Sequence, residues 1–470
     1  MKGGRFWLGR SLAGRRSSTF LSKDSRSFAE YTQEYEFSIK QPAAYWKAVG
    51  EKYLTWDRPF HASFAGTMGE DLRYYVGGRL NASYNAVDRH VEKGLGEQRA
   101  LIWEGDEPGE TRDVTYNQLA DGVNRFANLL RSVGVGPGDA VVIYMPPCPE
   151  AVFAMLGCAR IGAVHAVVFA GFSAEALRAR ILHVRAKVVV TVDAMTRSGR
   201  SVPLKDNVDE ALLACPEVRS VIVSQRTKDS NMVRGRDIAL ADALTRQRPW
   251  CPPEGFDSEH NLFVLYTSGS TGAPKGLVHT TGGYLAYAAL THQKLFDFRP
   301  GDVHACVADI GWITGHTYIV YGPLLNGATS VMFEGVPTHP GPDRYWDMVA
   351  RHRISTFYTS PTALRAIAKF GDSHVAKHDL SSLRVLGSVG EPLNAEVWRW
   401  YYRVVGQERC SIVDTYWQTE TGGAIISPLA NVTPMKPGSA ALPFFGVEAT
   451  LMGADGKEVW TLFLFPVSSV

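Results

Sequence analysis

Tyr266-Thr-Ser-Gly-Ser-Thr-Gly-Ala-Pro-Lys-Gly276 is the stretch on which the reading of this chain turns. The apolar run 261–266 before it predicts a strand. Consecutive Gly, Ser and Thr then put backbone N–H and hydroxyl donors into one loop, and Lys275 adds a cation. Such a loop can wrap phosphate oxygens. Its candidate contacts are Thr267, Ser268, Gly269, Ser270, Thr271, Gly272 and Lys275. It is not a Walker A loop, which needs Gly-Lys-Ser/Thr, because Pro274 precedes Lys275 and Gly276 follows it. Nor is Ser270 a nucleophile elbow, since Thr267 stands at the first glycine position of G-x-S-x-G.

Outward from this loop the chain alternates strand and helix patterns. N-terminal to it, apolar and β-branched runs at 140–145, 164–169, 187–192 and 220–223 are mostly separated by helical stretches. One helix has a clear start: Thr115 and Gln118 form a capping box, Leu119, Val123, Phe126, Leu130 and Val133 recur at helical spacing, and Gly134 ends it. A second strand series is read at 261–266, 304–310, 329–333, 355–359 and 384–388. The polar segment 225–260, with Pro252, Pro253 and Gly255, reads as a surface insertion or linker. The economical architecture is α/β, with two halves built on parallel sheets in one large unit. Parallel sheets bind ligands at the carboxyl ends of their strands, which directs attention to the loops after Tyr266, Ile310, Ser388 and Val413.

Composition narrows the classes. The 470 residues exceed one compact core. A balance of 49 Lys+Arg against 47 Asp+Glu excludes a strongly basic nucleic-acid binder. The six cysteines show no C-x-x-C pair, which argues against a disulfide framework or zinc ribbon. The run 151–172 is interrupted by Arg160 and His165 and split by Gly162, so it reads as buried helix and strand rather than a membrane span.

Four further motifs stand in order around the loop: Ser83-Tyr-Asn-Ala-Val-Asp-Arg-His90, Arg197-Ser-Gly-Arg200, Gly311-Trp-Ile-Thr-Gly-His316 and Gly387-Ser-Val-Gly-Glu-Pro392. A fifth is Asp414-Thr-Tyr-Trp-Gln-Thr-Glu-Thr-Gly-Gly423. Together with 267–276 they resemble the adenylate-forming enzymes (acyl-CoA synthetases, luciferases and peptide-synthetase adenylation domains), and acetyl-CoA synthetases in particular, over about residues 30–458.

The resemblance implies a large adenylate-forming domain with two doubly wound α/β subdomains and a partial β-rich subdomain. It implies ATP, Mg2+ and CoA as ligands and acetate as the acid. The acid and ATP give an acyl-adenylate and pyrophosphate, and the CoA thiol then displaces AMP. Thr267, Lys275 and Glu420 are the implied catalytic residues, with Glu420 as the Mg2+ contact, since a hard cation takes carboxylate oxygen. Gly390, Glu391 and Pro392 border the adenine. Asp414, Thr415, Tyr416, Trp417, Gln418 and Thr419 continue the ATP site, with Tyr416 standing where the family usually has Trp. Trp312, Ile313, Thr314, Val389 and Trp417 form the acetate pocket, with the Trp417 indole closing its floor. Gly171, Arg197, Ser198, Gly199, Arg200, Thr314 and Thr338 are implied at CoA, Thr338 replacing an Asn of bacterial relatives. The expected domains are a leader at 1–28, an extension at 29–115, the adenylation domain at 116–459 and a divergent tail at 460–470. The alternatives are a non-catalytic decoy form of the enzyme, paired with a full-length copy or self-associated, and a propionate–CoA ligase. No nucleic-acid or membrane partner is expected.

The ends carry two more expectations. Residues 1–23 hold six basic residues and no acid, with Ser and Thr interspersed, which reads as an organellar transit peptide and a mitochondrial-matrix location. Without those six, 43 basic groups face 47 acidic ones, a net of −4. The family's ribose motif, its hinge and its small C-terminal lid domain with a lysine in Ser-Gly-Lys context do not occur before the chain stops. On this reading the chain is a truncated product of such a gene, impaired in both half-reactions because an uncovered site stays wet.

Overall fold

Thr115 caps the helix Tyr116–Ser132 as the sequence predicts. Its hydroxyl accepts from the Gln118 N–H at 3.2 Å, and the Gln118 side chain accepts from the Thr115 N–H at 2.9 Å. Gly134 follows the helix at φ +83°, a conformation open to glycine at little cost. Leu119, Val123, Phe126 and Leu130 are fully buried on one face, each contributing about 1.5–3 kcal/mol by leaving water. These details come from a computed structural model that describes residues 27–67, 69–227, 230–267 and 274–458. The leader 1–26, the centre of the phosphate loop at 268–273 and the tail 459–470 lie outside the described residues.

Two seven-stranded sheets carry the molecule. The first runs Asp237–Ala239, Ser220–Ser224, Val188–Val192, Ala140–Tyr144, Val164–Val167, Asn261–Thr267 and Lys275–Thr280. The second runs Ser411–Asp414, Val385–Ser388, Thr356–Thr359, Val303–Cys306, Thr329–Phe333, Arg99–Glu104 and Thr111–Thr115. Both are parallel except for the last pair, which is antiparallel. Their central strands are buried on both faces, which is why they read as continuous Val/Ile/Leu runs.

Two strand placements differ from the sequence reading. Asn261–Thr267 belongs to the first sheet, beside Val164–Val167, and not to the second series. Its antiparallel partner is the strand Lys275–Thr280, unread from sequence, so the phosphate loop joins the two strands of a hairpin. Arg99–Thr115, unassigned to a sheet from sequence, forms the antiparallel edge of the second sheet. Within 225–260 the chain adds the edge strand Asp237–Ala239 and the helix Leu240–Thr245 to the first sheet. Beyond Asp414 only isolated bridges, such as Tyr416↔Ile426 and Ile426↔Pro443, join the described chain.

The polar residues inside the apolar run also have their reason. Arg160, fully buried at the end of the helix Pro149–Arg160, makes a forked pair with Asp88 at 2.8 and 2.9 Å and donates to Ser83 Oγ at 3.2 Å. The 83–90 motif is thus a buried polar hub tying the N-terminal region to the first sheet. No helix among the described residues is long and apolar enough to cross a membrane. Removing one partner of a buried ion pair strands the other charge. Asp88→Ala should therefore lower unfolding free energy by about 3–5 kcal/mol in urea titration. A loss within the range of a surface substitution would contradict the hub assignment.

Candidate active site

Three neighbouring parallel strands of the second sheet end in register: Thr359 lies beside Ser388, and Ser388 beside Asp414. The loops that leave them therefore start side by side. Gly390, Glu391 and Pro392 come from one loop and Asp414, Thr415, Tyr416, Trp417 and Gln418 from the next, and all eight line one cavity of about 620 Å³. Gly390 takes φ +96°, which lets the chain turn away at the cavity rim.

A chain of hydrogen bonds sets the floor. The Trp417 indole N–H donates to the Tyr358 hydroxyl at 3.3 Å, that hydroxyl meets Thr415 Oγ1 at 2.6 Å, and Thr415 Oγ1 donates to the Ser388 carbonyl at 2.8 Å. Tyr318 packs edge-on against Trp417 with ring centroids 5.3 Å apart. Tyr358 was not among the residues read from sequence. Its position at the end of the strand Thr356–Thr359 is the signal that could have found it. Val389 is buried beside this floor, its N–H on the Thr359 carbonyl at 3.1 Å.

Tyr416 is 51% exposed, while its backbone is pinned by bonds to Ile426. An accessible ring on a fixed backbone offers a flat face to a base. Glu391 is turned the other way. Its carboxylate accepts from the Thr362 N–H at 2.8 Å and pairs with Arg365 at 2.6 Å. Burial raises its pKa, but the Thr362 and Arg365 contacts outweigh this and hold it below the usual range. Glu391 thus ties its loop to the helix Pro361–Ala368.

Thr267 and Lys275 are register partners at the mouth of the hairpin, and Lys275 is exposed. Ser268, Gly269, Ser270, Thr271 and Gly272 lie outside the described residues. Thr419 and Glu420 sit on the short turn Thr419–Thr421, docked onto the same hairpin: His279 Nε2 meets the Thr419 carbonyl at 2.8 Å. Glu420 is exposed, and among the described residues its carboxylate has no hydrogen bond or ion pair. A free carboxylate here suits a divalent cation, though it lines a neighbouring cavity of about 540 Å³ with His279, Tyr284 and Tyr287 rather than the first one.

Trp312 is likewise elsewhere. It stacks near Phe169, with ring centroids 5.5 Å apart, and lines a third cavity of about 350 Å³ with Arg197 and Asp309. Ile313 is buried and Thr314 half-buried behind it. Of the five residues read as one acetate pocket, Trp312 and Trp417 thus line different cavities, because they leave different strand ends, while Ile313, Thr314 and Val389 line neither. Asp309 was missed from sequence. Burial raises its carboxyl to about 6, against the opposing pull of the Gly311 N–H and of Arg197.

Arg197 and Arg200 face each other across a two-residue turn, Ser198-Gly199, and both are exposed with no ion pair among the described residues. Thr338 is exposed beside His339, which lies against Gly199. Gly171 is exposed in the turn that follows Phe169.

A family model described as AMP-binding enzyme matches residues 87–461, and one described as acetyl-coenzyme A synthetase N-terminus matches residues 31–86. Acetyl-coenzyme A synthetase 2 of Pseudomonas aeruginosa is 51% identical over 446 residues, covering 94% of this chain and 68% of its own length. The acetyl-coenzyme A synthetase of Magnetococcus marinus is 51% identical, covering 92% of this chain and 67% of its own length. That of Halorhodospira halophila is 52% identical with the same coverage. The chain belongs to the acetyl-coenzyme A synthetase family. It spans about two thirds of the length of these relatives. The mitochondrial-matrix location is corrected by this finding: the relatives are bacterial proteins, and the family match starts at residue 31, beyond the basic segment. That expectation rested on Arg- and Ser-rich composition alone, which many solvated segments share.

Asp414 supplies a pH test of the cavity. It is 5% exposed, and burial lifts its carboxyl from 3.8 to about 7. The folded chain holds this proton more tightly than the unfolded one. The contribution of Asp414 to stability is therefore full below about pH 4 and is lost as pH rises through about 7. Asp414→Asn, which cannot ionise, should remove that decline. The melting temperature of the native sequence relative to the variant should fall between pH 5 and pH 8; a constant difference would contradict the burial assignment.

Proposed function

We propose that the chain is an acetate–CoA ligase that forms AMP, and that the cavity at the aligned strand ends takes ATP. The observation that carries this reading is the convergence of Gly390–Pro392 and Asp414–Gln418 on one cavity in a member of this family. In the first step an acetate oxygen attacks the α-phosphorus of ATP and pyrophosphate leaves. In the second the CoA sulfur attacks the acetyl carbonyl, the C–O bond to phosphate breaks, and AMP leaves. Both are displacements at charged centres, so positioning and charge stabilisation dominate.

Each residue then has a task. Tyr416 supports the adenine face, and Asp414, Thr415, Gln418 and Thr419 complete the nucleotide wall. Thr267, Lys275 and the loop between them hold the β- and γ-phosphates. Glu420 would hold Mg2+, which supplies neutralising charge to the triphosphate when bound. Val389 and Trp417 limit the acid to a short chain, with Tyr358 fixing the indole. Trp312, Ile313 and Thr314 complete the acyl pocket, with Thr314 also at the CoA site. There Gly171 and Thr338 border the ligand, and Arg197 and Arg200 offer forked donors to its phosphates.

The test is acetate-dependent exchange of labelled pyrophosphate into ATP. Exchange should require acetate and should be about tenfold or more weaker with propionate, the discrimination one methylene allows. Exchange indifferent to the acid would remove the reading. Trp417→Gly should shift the preference toward longer acids; an unchanged chain-length profile would sink the pocket assignment.

A further inference from the structure

The two CoA arginines stand on a weak element. Met195–Arg197 and Arg200–Val202 form a two-stranded sheet of three residues each, paired to no other strand among the described residues. An isolated hairpin of that size is marginal in water. Its turn is also costly, because both central residues take positive φ, Ser198 at +52° and Gly199 at +70°. Positive φ at both positions is the hairpin turn that matches strand twist, but serine enters that region reluctantly.

One side chain compensates. Asp106 lies on the loop between Arg99–Glu104 and Thr111–Thr115, at the edge of the second sheet, whereas the hairpin follows the strand Val188–Val192 of the first. The Asp106 carboxylate is 1% exposed and reaches across to the turn. The Ser198 N–H donates to one of its oxygens at 3.0 Å and the Gly199 N–H to the other at 2.7 Å. Successive N–H groups in a positive-φ turn form a concave nest for an anion, and here the nest holds Asp106. Above it, His339 Nε2 lies 2.8 Å from Glu107 and 3.6 Å from Asp106, with its ring against Gly199. The carboxylate occupies the turn's backbone donors and leaves both guanidinium groups free.

We infer that Asp106 is a positioning residue for CoA: by clamping the Ser198-Gly199 turn from the opposite sheet, it fixes Arg197 and Arg200 where they can meet the phosphates of that ligand. This rests on the reading of the two arginines as phosphate contacts. It adds a residue outside every motif quoted above, and it makes phosphate recognition depend on how the two sheets are docked.

The experiment compares CoA with 3′-dephospho-CoA by titration calorimetry, alongside hydrogen exchange of the segment 195–202. The native chain should bind CoA about tenfold or more tightly than 3′-dephospho-CoA, since charge-assisted bonds to the 3′-phosphate are lost in the latter. In Asp106→Asn, which puts an NH2 donor against a backbone N–H, exchange at 195–202 should rise and the ligand preference should collapse toward one. Asp106→Glu keeps both oxygens, should retain part of the preference, and serves if the Asn variant does not fold. In an Arg197→Gln/Arg200→Gln background, adding Asp106→Asn should leave the preference unchanged, because the arginines through which it acts are gone. A preference that survives in Asp106→Asn despite faster exchange would overturn the positioning role, and so would unchanged exchange. A native chain that does not distinguish the two ligands would overturn the arginine–phosphate reading itself and this inference with it.

Discussion

Parallel pairing of three strands in register is the constraint on which the site depends. With Thr359, Ser388 and Asp414 abreast, the loops that follow can only emerge together. Their side chains then share one hydrogen-bond chain, from the Trp417 indole through Tyr358 and Thr415 to the Ser388 carbonyl. Slippage of any strand would break that chain and open the floor. All three strands are covered on both faces, so packing from either side holds them in place.

The second sheet alone does not make the site. The phosphate-loop hairpin belongs to the first sheet, and it reaches the second through the contact of His279 with the Thr419 carbonyl. Polar bridges between the halves include the ion pairs of Arg226 with Glu334 at 2.5 Å and Arg112 with Glu150 at 2.5 Å, and the Asp106 carboxylate, which accepts from the N–H groups of the hairpin turn. Arg226 and Glu334 are largely withdrawn from water, so their geometry matters more than that of a surface pair. The proposed nucleotide and CoA sites thus lie on halves that these polar contacts join.

The sequence made the motifs legible because their chemistry is local. Glycine and hydroxyl spacing at 267–276 announces a phosphate loop, and Asp414–Gln418 and Gly390–Pro392 fall at strand ends that periodicity can place. Contacts between distant segments were not legible. Asp106 meets Ser198 from 92 positions away, and Tyr358 meets Trp417 from 59. Nothing in the spacing of either residue hints at its partner. The same limit explains Trp312: an apolar residue beside a motif reads as pocket lining, yet which cavity it lines depends on which strand its loop leaves. The hairpin form of the phosphate loop was missed because the strand Lys275–Thr280 is an edge strand, half-exposed and short of the apolar run that marks a buried one.

The central claim is that adenine lies against Tyr416 at the aligned strand ends. Equilibrium titration with Mg·ATP, comparing the native chain with Tyr416→Ala, tests it most directly. Loss of a stacking ring costs about 1–3 kcal/mol for a base, so the account predicts saturable binding that weakens about fivefold or more in the variant. Equal affinity in the two proteins would contradict it.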